Sequence, residues 1–263
     1  MTESEQSGEL VYTVSDGVGI LTMNRPQARN TITTWLSRDM YALLNRIALS
    51  HDARVLILRG AGSDFNAGAD IKWMLEHFDD PRPAHEDLVN WYHTSRLLHE
   101  MPLVTIAAID GACAGAGFGW ACGCDFRFAS DRAKFATAFL KVGASGDMGT
   151  AWLLPRLVGA PRARELLLLG EKFDAAEALS YDLVTRVFPA DTLHGEVEAL
   201  ARRMAGYNPT ALRMMKANLV SGEKLSLGEF IDIETSRHLH VANSGSLQAG
   251  FANFVKDRAS QKP

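Results

Sequence analysis

The segment GACAGAGFGWACGCD, residues 111–125, follows the apolar run LVTIAAI and constrains the fold more than any other stretch of the chain. A buried strand here ends in glycines and small side chains, which suit close backbone approach and backbone conformations that larger residues avoid. Where Gly115, Ala116 and Gly117 open a helix, its first N–H groups have no partner within the helix. Two readings follow: donors aimed at a ligand, or tight packing of a helix on a sheet.

A second segment, GAGSDFNAGADIKWM at 60–74, follows the apolar run VLIL. Its Ala67, Gly68 and Ala69 therefore fall at the carboxyl end of a strand, where α/β sheets place their ligands. If the two loops face each other, one N–H from each can point at a single oxygen. Two such donors stabilise a thioester carbonyl as it becomes enolate-like.

The surrounding pattern is α/β first and helical last. RVLILRG and PLVTIAAIDG are apolar on both faces, as in a sheet covered on both sides. ELVYTVSDGVGILTMNRP predicts a hairpin about Asp16-Gly17, and TTWLSRDMYALLNRIALS a helix capped by Thr33 or Thr34. From Pro161 onward the periodicity is almost wholly helical. We divide the chain into a core at 1–195 and a helical C-terminal oligomerisation region at 196–263, with no linker between them. Met204, Met214, Met215, Leu219, Phe230, Ile233, Phe251 and Phe254 are to be covered by the chain's own core or by a neighbouring subunit.

Composition excludes several classes. With 263 residues, 47% of them hydrophobic, the chain can fill a core, and a net charge of −4 gives no overall attraction to nucleic acid or anionic lipid. No stretch reaches the roughly 18 apolar residues of a membrane span, and the N-terminal MTESEQSGEL lacks an apolar signal region, so a cytoplasmic location is expected. Cys113, Cys122 and Cys124 share one apolar segment and read as small core residues. His238 and His240 would point to different helix faces, and no metal is expected. Trp120 stands where a dinucleotide fingerprint needs its third glycine, no P-loop is present, and Ser145 lacks the closing glycine of a hydrolase elbow.

Four segments together, LTMNRPQARNTI, FNAGADIKWM, GACAGAGFGWACGCDFRFAS and FATAFLKVGASGDMGTAWLLPRLVG, resemble the crotonase superfamily of enoyl-CoA hydratases and isomerases. The resemblance runs from about residue 9 to the C-terminal FVKDR. It implies an α/β fold with a crotonase-like ββα spiral core and a helical C-terminal trimerisation region. It also implies acyl-CoA thioester substrates, with coenzyme A as part of the substrate and no separate cofactor, and homotrimers that pair into hexamers. The oxyanion donors carry over to the N–H groups of Ala69 and Ala116, where Ala116 replaces a commoner glycine.

The catalytic acids depart from the pattern. Gly119 and Phe139 stand where hydratases of the family carry two glutamates, and neither can move a proton. Asp147 stands where ring-opening isomerases of phenylacetate catabolism and some other enoyl-CoA isomerases carry an aspartate. It is read either as a single acid/base or as an N-cap or turn aspartate ahead of the helix GTAWLLPRL. Double-bond or ring isomerisation is favoured; an atypical hydratase, an acyl-CoA hydrolase and a silent acyl-CoA-binding subunit are the alternatives. Expected around the substrate are Arg25, Ala67, Gly68, Asp70, Lys72, Gly115, Trp120 and Phe139. Arg25, Lys72 and Lys256 or Arg258 would meet the CoA phosphates, and Trp120, Phe139 and Trp152 would dry the pocket or serve as core. The segment LEHFDDPRPAHEDLVNWYH, interrupted by Pro81 and Pro83, would set acyl length as it does in the family.

Overall fold

The computed structural model describes residues 3–81, 83–245, 247–248, 250–252 and 255. In chain order the elements begin with strands β1 (Glu3–Ser7), β2 (Leu10–Ser15) and β3 (Val18–Met23), helix α1 (Thr34–Ser50) and strand β4 (Val55–Gly60). Helices α2 (Ile71–Glu76), α3 (His85–Tyr92) and α4 (Thr94–Glu100) precede β5 (Val104–Ile109), β6 (Ala112–Ala114) and helix α5 (Gly115–Gly123). Then come β7 (Phe126–Ser130), β8 (Lys134–Ala136), α6 (Thr150–Leu169), β9 (Phe173–Asp174), α7 (Ala175–Ser180) and β10 (Arg186–Phe188). Helices α8 (Leu193–Ala205), α9 (Pro209–Gly222) and α10 (Leu227–Asn243) follow.

A seven-stranded sheet runs β1-β2-β3-β4-β5-β7-β10, and a three-stranded sheet β6-β8-β9 stands beside it. The β2–β3 hairpin pairs antiparallel about Asp16-Gly17, whereas β3, β4, β5, β7 and β10 are parallel neighbours. Alternation along the central strands explains their unbroken apolar runs. Leu56 and Leu58 face the larger core cluster, while Val55 and Ile57 face a second one on the opposite side of the sheet. Helix α1, capped by the Thr33 hydroxyl accepting from Leu36 N–H at 3.0 Å, buries Leu36, Met40, Leu43, Leu44 and Ile47 in the larger cluster. Each such fully buried side chain contributes roughly 1.5–3 kcal/mol. Helix α8 covers the other face with Leu193, Val197, Ala201 and Ala205, spaced four apart.

Strand β1 adds a strand before the expected hairpin, and β9 and β10 interrupt the stretch read as almost wholly helical from Pro161. The division at 195/196 falls inside α8, whose apolar stripe belongs to the sheet's second core. Both β9 and β10 have three residues or fewer, too short to show an alternating pattern. Beyond α8 the chain behaves differently: α10 buries none of its residues, and Leu227, Ile231, Ile233 and Leu239 are exposed along it. Met215 and Leu219 are exposed on α9. Phe254, Lys256 and Arg258 lie outside the described residues.

Candidate active site

Strands β4 and β5 pair in parallel, so the loops that follow them leave the same edge of the sheet. The first loop is fixed by Asn66, a residue the sequence reading passed over although it lies inside FNAGAD. Its side-chain oxygen accepts from Gly68 N–H at 2.8 Å and its amide donates to the Asn30 carbonyl at 2.5 Å. Its backbone bridges to Ala112 and Ala114. Ala67 N–H donates to the Arg29 carbonyl and Asp70 N–H to the Ile32 carbonyl.

The glycines are required by this close approach. Gly68 has φ 97°, and a Cβ there would sit 3.1 Å from the Ala114 carbonyl oxygen. Gly115, at φ 51°, would place a Cβ 3.6 Å from Gly68 Cα, so the two loops meet backbone to backbone. On either side of that contact, the N–H groups of Ala69 and Ala116 have no hydrogen-bond acceptor among the described residues. Ala116 is not among the residues with positive φ, so its methyl group imposes no strain.

Both alanines line one cavity of ≈ 60 Å³ together with Asp147. Ile32, Met74, Leu88, Trp91 and Met148 supply apolar wall, and Ser37 and Tyr92 add hydroxyls. The cap reading of Asp147 is overturned: its backbone carbonyl, not its carboxylate, accepts from Thr150 N–H at 3.0 Å and from the Thr150 hydroxyl at 2.9 Å. The carboxylate's Oδ1 is buried without a hydrogen-bond partner among the described residues. Burial pushes the carboxyl up to about 6.

Gly119 is shaped by the same loop. Met148, held at φ 48° with its carbonyl accepting from the Ser95 hydroxyl at 2.6 Å, fills the space beside it. A Cβ on residue 119 would stand 2.6 Å from Met148 Cβ and 2.8 Å from Thr150 Oγ1. The space beside Gly119, where the resemblance places a hydratase glutamate, is filled by the loop that carries Asp147.

Several expected substrate contacts lie elsewhere. Trp120 is fully buried in the main core, and Phe139 is buried and outside the lining of this cavity. Trp152 lines a neighbouring cavity of ≈ 300 Å³ that shares Tyr92 with this one. The apolar groups that line the cavity with Asp147 are instead Leu88 and Trp91 of α3, Ile32 and Met148, brought together from three parts of the chain. Arg25 is committed to the scaffold: its guanidinium pairs with Glu9 at 2.8 Å and Asp70 at 3.0 Å, and donates to the Thr31 carbonyl at 2.5 Å. Asp70 also caps α2 by accepting from Trp73 N–H. Lys72 is exposed, with its nearest carboxylate, Glu76, at 3.9 Å.

Two unengaged backbone donors and one desolvated carboxylate thus share a cavity at the carboxyl edge of a parallel sheet, a constellation able to polarise a carbonyl and move a neighbouring proton. Residues 13–261 match the enoyl-CoA hydratase/isomerase family, and the chain belongs to it. It is 32% identical over 250 residues to the 1,2-epoxyphenylacetyl-CoA isomerase of Escherichia coli (strain K12), covering 94% of this chain and 95% of that protein. It is 35% identical over 246 residues to the probable enoyl-CoA hydratase of Mycobacterium tuberculosis (strain CDC 1551 / Oshkosh), covering 93% of each. The crystal structure of an enoyl-CoA hydratase/isomerase from Cupriavidus metallidurans CH34 superposes with a TM-score of 0.86 at 27% identity, over 96% of this chain and 95% of that one. The crotonase fold expected from the motifs is the fold observed. Among the described residues no helix is long and apolar enough to cross a membrane.

Proposed function

We propose that this protein isomerises an acyl-CoA thioester, with Asp147 as its single acid/base and the N–H groups of Ala69 and Ala116 as its oxyanion hole. The carrying observation is the buried, unpartnered carboxylate of Asp147 in the cavity that both alanines line. Asp147 removes a proton from C2 of a 3-enoyl thioester; the C–H electron pair moves into the thioester, and the two N–H groups hold the resulting oxygen charge. The carbonyl then re-forms, the C2=C3 bond is made, and C4 takes the proton back from the carboxyl. A carboxyl near 6 is mostly ionised at neutral pH and remains a competent donor once protonated. Each backbone donor is worth about 3 kcal/mol to such a transition state.

Gly119 and Phe139 weigh against an ordinary hydratase, since one carboxylate must otherwise both activate water and protonate carbon. Exposed Lys72 is assigned to the CoA phosphates. The uncovered apolar residues of α9 and α10 are assigned to a trimer or hexamer of this chain.

The test is a panel of 2-enoyl-, 3-enoyl- and epoxy- or cyclic acyl-CoAs, with products identified by mass and NMR. Isomerised thioester is expected, and Asp147→Asn lowers its turnover by about 10²- to 10⁴-fold. Release of free CoA would select a hydrolase, and tight binding without turnover would select a silent subunit.

A further inference from the structure

The cavity beside Asp147 holds a second unsatisfied polar atom that the proposed isomerisation does not use. Ser37 lies on α1, on a wall formed by neither oxyanion loop. It is 6% exposed, and its hydroxyl is buried with no hydrogen-bond partner among the described residues. A serine in a helix ordinarily returns its hydroxyl to the carbonyl four residues back. Here the Thr33 carbonyl accepts from the Ser37 backbone N–H, and the hydroxyl is left over. Tyr92, 49% exposed, lines the same cavity. Burial, and then the charge of Asp147, raise the phenol above its ordinary value, so it stays a donor.

We propose that Ser37 is a specificity residue whose hydroxyl, assisted by that of Tyr92, donates a hydrogen bond to an oxygen substituent on the acyl group beside the reacting carbons. The substrate is then an oxygenated acyl-CoA, bearing a hydroxyl, carbonyl or epoxide oxygen, rather than a plain hydrocarbon enoyl-CoA. This rests on the acyl-CoA reading of the site and names its substrate class.

The physical case is the cost of an unmatched donor. A cavity of ≈ 60 Å³ has room for about two water-sized groups, so an acyl group that enters it excludes solvent from Ser37. A hydrocarbon leaves the hydroxyl buried and unpaired, whereas an oxygen in the same place pairs with it. Sites built to hydrogen-bond a polar group reject the analogue that lacks it far more strongly than apolar pockets reject an added methylene.

The experiment compares two saturated ligands of one skeleton, butanoyl-CoA and 3-hydroxybutanoyl-CoA, by calorimetric titration in an Asp147→Asn background that suppresses turnover. The ratio of their dissociation constants is measured with Ser37 intact, with Ser37→Ala and with Tyr92→Phe. Because desolvation of the ligand hydroxyl is common to all three proteins, the change in ratio isolates the protein's donor. With Ser37 intact the hydroxylated ligand binds about tenfold tighter, and Ser37→Ala reduces that preference to about twofold or less while butanoyl-CoA affinity holds. Tyr92→Phe gives a smaller loss. An unchanged preference in both variants, or equal weakening of both ligands, overturns the proposal. No binding of either thioester overturns the acyl-CoA reading and this proposal with it.

Discussion

Asp147→Asn is expected to make the protein more stable as it makes it less active, because the carboxylate is held where its charge is disfavoured. Burial raises the carboxyl from an ordinary 3.8 to about 6. The folded chain therefore keeps a proton between those pH values that the unfolded chain has released. Stability from this group is fully present below about pH 4, falls as pH rises to about 6, and stays at the lower level above. The difference corresponds to about 3 kcal/mol at most. The amide leaves the same buried oxygen unpartnered, so that defect largely cancels between the two proteins. At pH 7.5, Asp147→Asn is expected to gain about 1–3 kcal/mol over the wild type, and at pH 4 almost nothing. Urea unfolding at both pH values, at one protein concentration so that any assembly contributes equally, measures this directly. A variant less stable than wild type at pH 7.5, or a gain independent of pH, refutes the picture of a desolvated, unpaired carboxylate.

Gly119→Ala tests the packing of the Asp147 loop beside that glycine. Overpacking against Met148 Cβ and Thr150 Oγ1 costs about 1–3 kcal/mol, against a helix-propensity gain of about 1 kcal/mol, so thermal unfolding should show a net loss. Turnover falls with it, because Met148 adjoins Asp147; a more stable variant with full turnover would contradict the geometry. If the exposed apolar residues of α9 and α10 join copies of the chain, light scattering at micromolar concentration gives a trimer or hexamer mass. Leu219→Glu on α9 shifts that mass toward the monomer, and a monomeric wild type removes the assignment.

What the sequence determined by itself was local and periodic. Two both-faces-apolar runs dictated adjacent buried strands, Asp16-Gly17 a hairpin, a cap at Thr33 or Thr34, of which the structure uses Thr33, and the glycines at 68 and 115 a close backbone approach, because each is a property of a few neighbouring residues. The family motifs extended this to Ala69, Ala116 and Asp147, and these three do share a cavity. Only the tertiary structure decided which side chains surround them. Trp120 turned into the core and Arg25 into a pair with Glu9 and Asp70, while Ser37 from α1, Trp91 from α3 and Met148 from the loop before α6 came together around the carboxylate. An amphipathic helix announces its buried stripe but not the partner that buries it, and the local pattern at Ser37 is that of any helical serine. Whether such a hydroxyl is satisfied or left waiting depends on groups distant in sequence, and only the packed molecule places them.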